Sequence, residues 1–124
     1  MKRAIIIEDD FIISLFLRNQ LKRLDIEVVD ILDSGEDLTR SALEHKPDLL
    51  LVDVELNGKL NGIEAVRNLP SNCKPGLIFI TGSPNGKNRE QIRKLKPLAL
   101  LGKPVGAKDL SSIINTIYEK EIFS

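Results

Sequence analysis

Glu8, Asp9, Asp53, Thr81 and Lys103 are the residues of this 124-residue chain whose types suit them for joint chemistry. Each stands at or just past the end of an apolar run. Glu8 and Asp9 follow Ala4-Ile5-Ile6-Ile7, Asp53 follows Leu49-Leu50-Leu51-Val52, Thr81 ends the run from Gly76, and Lys103 comes shortly after Leu98 to Leu101. Carboxylates brought together repel one another unless something neutralises them. Glu8, Asp9 and Asp53 would carry −3, which a divalent cation and the Lys103 ammonium would match with +3. Hard oxygen ligands favour magnesium, with manganese as an alternative. Such a set can run phosphoryl transfer. The cation screens the incoming group, a carboxylate attacks it, and the Thr81 hydroxyl and Lys103 ammonium bind its oxygens.

The five residues meet only if the runs before them lie side by side as strands. The pattern predicts strands over 3–8, 26–32, 49–53, 76–81 and 98–101, because each is a short apolar run bounded by acids or turn residues. Helices are predicted between them. The first covers 10–24, with apolar positions Phe11, Leu15, Leu21 and Leu24 and basic residues near its end. The second covers 34–45, with Ser34 as N-cap and Asp37 three positions on, and Pro47 bars its continuation. A loop from Glu55 to Asn61 leads to a short helix over 62–69, stopped by Pro70. A further helix covers 87–95. The last spans 109–121, with Leu110, Ile113, Ile114 and Ile117 at helical spacing. Alternating strands and helices imply an α/β fold, an open parallel sheet covered on both faces. Such sheets bind ligands outside the carboxyl ends of their strands, at the switch point, which here would set the acids of the first strand beside Asp53.

Bulk properties remove several alternatives. Lys plus Arg number 18 and Asp plus Glu number 18, so there is no basic excess to suggest direct nucleic-acid binding. No apolar run is long enough to span a membrane. The opening apolar stretch is broken by Glu8-Asp9-Asp10, unlike a signal peptide. One cysteine, Cys73, forms no internal disulfide and suits a reducing cytoplasm, and one Cys with one His makes no zinc site. Asp10 is placed to cap the first helix rather than to bind a ligand. His45 reads as a helix-end residue complementing the dipole.

Taken in order and at their spacing, the motifs resemble a receiver domain of two-component response regulators over essentially the whole chain. They are Ile7-Glu8-Asp9-Asp10, Pro47-Asp48-Leu49-Leu50-Leu51-Val52-Asp53, Asn61-Gly62-Ile63-Glu64, Phe79-Ile80-Thr81-Gly82 and Lys103-Pro104. The resemblance implies a flavodoxin-like, doubly wound, five-stranded parallel sheet in the order 2-1-3-4-5 with five helices. It implies phosphotransfer from a sensor histidine kinase, or from a phosphotransfer protein, to Asp53. It also implies magnesium bound by Asp9 and Asp53 directly, by Glu8 through water and by the backbone carbonyl of Glu55. A cis peptide between Lys103 and Pro104 is a further implication, as is tuning of the dephosphorylation rate at Glu55 and Ser83, two places after the acceptor and the threonine. Phosphorylation would then reshape the surface of helix four, strand five and helix five, which meets a downstream protein target or a second copy in a homodimer. Residues 1–124 are expected to be one receiver with no output domain in the chain, a signalling switch and not a conventional enzyme.

Some positions depart from the family pattern. Leu100 stands where the family usually has Tyr or Phe, Val105 follows Pro104 where Phe is common, and Asn57 replaces a common Pro in a loop one residue longer than in chemotaxis-type receivers. The segment 55–62, the Phe-Ile-Thr-Gly run and the short fifth strand are similar to receivers of general stress response regulators. The departures keep a second reading, a pseudo-receiver binding partners without phosphorylation. Other classes on similar sheets fit less well. A flavodoxin would need an anion-binding loop where the three acids stand, a dehalogenase-type phosphatase would need Asp in place of Glu55, and no phosphate-binding P-loop spacing occurs.

Overall fold

Near-continuous apolar runs such as Ala4–Ile7 and Leu49–Val52 place apolar side chains on both faces of a strand, and burying both faces requires helices above and below. The structure, a computed structural model, describes residues 2–123, with side chains over residues 2–119; Met1 and Ser124, the ends of the expected receiver span, lie outside the described residues. The strands are β1 (Lys2–Ile7), β2 (Ile26–Leu32), β3 (Leu49–Asp53), β4 (Gly76–Thr81) and β5 (Ala99–Gly102). They pair in parallel in the order β2-β1-β3-β4-β5, as expected. The helices are α1 (Phe11–Arg23), α2 (Leu38–His45), α3 (Gly62–Arg67), α4 (Arg89–Lys94) and α5 (Ala107–Phe123).

Alternation along the strands divides the core in two. Ile5, Ile7, Leu50, Val52 and Phe79 face one way and pack with Leu38, Ile63, Val66 and Ile92 of α2, α3 and α4. Ala4, Ile6, Leu49, Leu51, Ile78 and Ile80 face the other way and pack with Leu17, Leu21, Leu110 and Ile114 of α1 and α5. β3 is the central strand and is buried along its whole length. The register sets Ile7 beside Val52, Asp53 beside Ile80 and Thr81 beside Gly102, so the carboxyl ends of four strands emerge together.

Several expected details differ. The buried stripe of α1 is Ser14, Leu17 and Leu21, while Phe11 is 73% exposed. Phe11 lies roughly a quarter turn away from the middle of that stripe, so it faces outward. Leu24 keeps a partly buried place against the core. Ser34 makes no side-chain cap bond; a 3₁₀ turn over Gly35–Asp37 stands where the second helix was expected to begin. Packing sets that turn. A Cβ on Gly35 would come within 2.8 Å of the Ala65 Cβ, so α3 presses directly on it. The last helix starts two residues earlier than expected, at Ala107, and β5 lies one residue later, at Ala99–Gly102. The two short helices, α3 and α4, are trimmed to Gly62–Arg67 and Arg89–Lys94.

Gly62 is where the site and the fold meet. A Cβ there would lie 2.3 Å from the Asp53 carbonyl oxygen and 2.7 Å from Val52 Cγ1. No side chain fits without moving the buried strand that ends at Asp53. Gly62→Ala is expected to cost about 1–3 kcal/mol, the range for forced overpacking. Urea unfolding of wild type and variant checks this, and an unchanged midpoint would contradict it.

Candidate functional site

Glu8 continues from β1, and its amide donates to the Leu32 carbonyl at 2.9 Å, which fixes the first strand's exit. Asp10, two residues on, accepts from the Ile13 amide at 3.1 Å and caps α1. Between them Asp9 turns toward the third strand. Carboxylate oxygens of Glu8, Asp9 and Asp53 all lie within 4.8 Å of one another. Glu8 is 5% and Asp53 3% exposed. The sequence therefore foresaw the convergence of these three acids correctly.

Lys103 reaches the cluster from β5. Its amide donates to the Thr81 carbonyl at 2.9 Å, and the peptide to Pro104 is cis. Its ammonium lies 2.9 Å from Asp53 Oδ1, which also accepts from the Glu55 amide at 3.0 Å. With Oδ1 held twice, the Asp53 carboxylate has a fixed orientation. The loop after β3 adds a further tie, since the Asn57 amide donates to Asp9 Oδ2 at 3.1 Å. That loop is itself pinned by Glu36 of the 3₁₀ turn, which accepts from the Leu60 amide at 2.9 Å. Asn61 and Glu64 then form a capping box at the start of α3.

Thr81 is buried beside these groups, but its hydroxyl is engaged elsewhere. It donates to Glu55 Oε2 at 2.6 Å and accepts from the Ser83 amide at 3.1 Å. Glu55 Oε1 accepts from the Gly82 amide at 2.6 Å and lies 3.7 Å from the Lys103 ammonium. The family resemblance places the Glu55 carbonyl at the metal and the Glu55 and Ser83 positions where the family tunes dephosphorylation, but the sequence indicates neither the partners of the Glu55 carboxylate nor a role for Gly82. The one signal available was position, two residues after Asp53 and one after Thr81.

The electrostatics follow from crowding. Burial pushes Glu8 up to about 8, helped by its hydrogen bond with Asp53 and the charges of Asp53 and Asp9, against the pull of Lys103. Burial lowers Lys103, but its hydrogen bond with Asp53 and the charges of Asp53, Glu8 and Glu55 outweigh that and hold it above the ordinary lysine value. Glu8, Asp9 and Asp53 bring three formal negative charges together against the one positive charge of Lys103. Three convergent carboxylate oxygens with that excess fit a hard divalent cation.

Two residues considered earlier lie away from this edge. His45 ends α2, with Nε2 3.7 Å from Asp30 Oδ2, and its carbonyl accepts from the side chain of Arg3 near the start of β1. Cys73 is half-buried in the connection from α3 to β4. Beside the acidic edge, an apolar cleft of about 620 Å³ is lined by Ile12, Ile13, Phe16, Leu17, Ile80 and Val105, with Glu8 and Lys103 at its margin. Ile12, 77% exposed, and Phe16 give it an open outer wall. Among the described residues no helix is long and apolar enough to cross a membrane.

Comparison with known proteins gives a consistent result. The response regulator receiver domain family matches residues 4–115. The transcriptional regulatory protein PdtaR of Mycobacterium tuberculosis is 28% identical over 109 residues, covering 88% of this chain and 53% of PdtaR. The chain thus spans about half the length of that curated relative. Among solved structures, the signal receiver domain of a modulated diguanylate cyclase from Desulfovibrio desulfuricans is 33% identical, with a TM-score of 0.85 over 100% of this chain and 99% of that one. The receiver domain of PhyR from Erythrobacter litoralis is 25% identical, with a TM-score of 0.79 over 93% of this chain and 88% of that one.

The raised Glu8 value makes a prediction about pH. In metal-free protein the folded state keeps the Glu8 proton, whereas the unfolded chain releases it above about 4.5. The Glu8 contribution is therefore fully present below 4.5 and is lost as pH rises toward about 8. With chelator present, Glu8→Gln should gain stability relative to wild type across that window. Urea midpoints at stepped pH check it; parallel curves for the two proteins would contradict it.

Proposed function

The chain belongs to the response regulator receiver domain family, and on that premise we propose that it is a signalling switch that takes a phosphoryl group on Asp53. The observation that carries this reading is the Asp53 carboxylate itself. It is buried, fixed through Oδ1 by Lys103 and the Glu55 amide, and surrounded by the acids of β1. Buried, partnered carboxylates crowded by other acids in this way are concentrated at reactive sites.

In the proposed step an Asp53 oxygen attacks the phosphorus of a phosphohistidine on a sensor kinase or phosphotransfer protein. A P–O bond forms, the P–N bond breaks, and its electron pair returns to the imidazole. Asp9 and Asp53 directly, Glu8 through water and the Glu55 backbone carbonyl would hold magnesium, or manganese in its place. The cation supplies charge neutralisation for the transferring oxygens. Lys103 balances charge at Asp53 and binds a phosphoryl oxygen, and Thr81 offers its hydroxyl to another. The modification replaces one carboxylate charge with about two negative charges. Thr81 and Lys103 then follow the new oxygens, and the surface of α4, β5 and α5 shifts between two populations. That surface meets a downstream protein or a second copy of the chain. The apolar cleft between α1 and Val105 adjoins the acceptor, which suits it to seat the phosphodonor protein. The working location is the cytoplasm, where such a relay operates.

Leu100 favours one second reading. It lies partly buried against the Phe79 side of the core where an aromatic is usual in the family, so the link from Thr81 to the surface is altered. A pseudo-receiver would keep the fold and bind partners without phosphorylation.

One experiment separates the two. Purified protein is incubated with acetyl phosphate and magnesium and followed by intact mass. The switch predicts a gain of one phosphoryl group, abolished in Asp53→Asn and by chelation. No gain in wild type supports the module. Lys103→Ala should still accept the group yet fail to reach the active conformation, read from amide shifts of α4 and α5. A full response in that variant would contradict the role given to Lys103.

A further inference from the structure

The Glu55 carboxylate stands in a slot built for an oxyanion. A hydroxyl, a backbone amide and an ammonium converge on it: Thr81 Oγ1 at 2.6 Å, the Gly82 amide at 2.6 Å and Lys103 Nζ at 3.7 Å. The same ammonium touches Asp53 at 2.9 Å, so the slot adjoins the acceptor. Two of these three groups, Thr81 and Lys103, are those assigned above to the phosphoryl oxygens.

Donor counting makes the overlap a conflict. A threonine hydroxyl has one proton to donate and a backbone amide has one. Both are committed to Glu55, and the remaining bond to Thr81 Oγ1 comes from the Ser83 amide and uses acceptor capacity only. A phosphoryl oxygen arriving at Asp53 cannot take the Thr81 proton while Glu55 holds it. We propose that Glu55 is a built-in surrogate for the phosphoryl group, occupying its donors in the resting protein and leaving when Asp53 is phosphorylated. The inference rests on the phosphoacceptor reading and adds a regulator to that site.

Exposure decides between a fixed strut and a movable plug. The Glu55 side chain is 45% exposed, against 2% for Asp53. It can rotate into water and recover hydration, whereas a fully buried carboxylate would have no such exit. The surrogate has two consequences. It slows loading, because the donors must first be freed. It also holds Thr81 toward an anion before any phosphoryl group arrives, so the resting and loaded states differ less at Thr81 than they would with an empty slot.

A purely electrostatic account competes with this one, since Glu55 also adds negative charge near an incoming anion. The variants separate them. Glu55→Asp keeps the charge but is one methylene shorter and cannot reach both donors; Glu55→Ala and Glu55→Gln remove the charge. Initial rates of phosphorylation by acetyl phosphate with magnesium are read by intact mass in wild type and all three. The surrogate predicts that Glu55→Ala and Glu55→Asp both load faster, by up to about five-fold, the most that freeing one half-exposed charged contact gives. It also predicts that the Glu55→Ala gain shrinks in a Thr81→Ala background, because the two residues act as a pair. In amide spectra, adding beryllofluoride and magnesium to wild type should shift Gly82 strongly as its partner changes. A wild-type rate in Glu55→Asp alongside a faster Glu55→Ala would overturn the plug in favour of bulk charge. Unchanged rates in all three, with wild type labelled at Asp53, would overturn the surrogate alone. No labelling of any form would overturn the phosphoacceptor reading and the surrogate with it.

Discussion

A single ammonium facing a crowd of carboxylates governs this molecule's acidic edge. Lys103 contacts Asp53 at 2.9 Å and Glu55 at 3.7 Å, while Glu8 and Asp9 close the other side. Charges so arranged are tolerable only if the backbone holds them rigidly and if protons, cations or hydrogen bonds offset the excess. Each structural feature near the edge answers one of those needs. The parallel register brings the strand ends level, the Leu32 carbonyl fixes the exit of β1, and the Thr81 carbonyl fixes the approach of Lys103. In the metal-free protein burial, more than neighbouring charge, raises Glu8 and favours its protonated form.

The loop from β3 to α3 ties the edge to the rest of the fold. Its amides serve Asp53, Asp9 and Glu36 in turn, through Glu55, Asn57 and Leu60. Gly62 then returns the chain so closely over Asp53 that only hydrogen fits at its α-carbon. The loop that orients the acceptor is thus anchored at both ends, by the central strand and by a capped helix. This differs from a loosely hung surface connection, and it accounts for an acidic side chain, Glu55, being available at a repeatable position.

The strands and the three convergent acids were readable from the sequence because both depend on short-range pattern. An apolar run of four or five residues followed by an acid has few alternatives in an α/β chain, and Leu49 to Asp53 is buried throughout as such a run should be. The face of α1 was less readable. Phe11, Ile12, Ile13, Leu15, Phe16 and Leu17 are all apolar, so periodicity alone could not choose the stripe, and the sheet chose Ser14, Leu17 and Leu21. Ser34 carried a local cap signal, yet contact between Gly35 and Ala65 imposed a 3₁₀ turn instead. Glu36 and the Gly82 amide were invisible, and Glu55 was legible only by its place two residues after Asp53, for the same reason. Their partners lie 24 to 27 residues away along the chain, and no local spacing encodes such pairs.

What unites the account is chemistry at one carboxyl group. Borohydride reduction of protein loaded with acetyl phosphate and magnesium, followed by peptide sequencing in a mass spectrometer, tests it most directly, because an acyl phosphate is reduced to the alcohol and marks its own position. The account predicts homoserine in place of Asp53 and at no other residue. Homoserine elsewhere, or intact aspartate at position 53 in protein that has taken up phosphate, would contradict it.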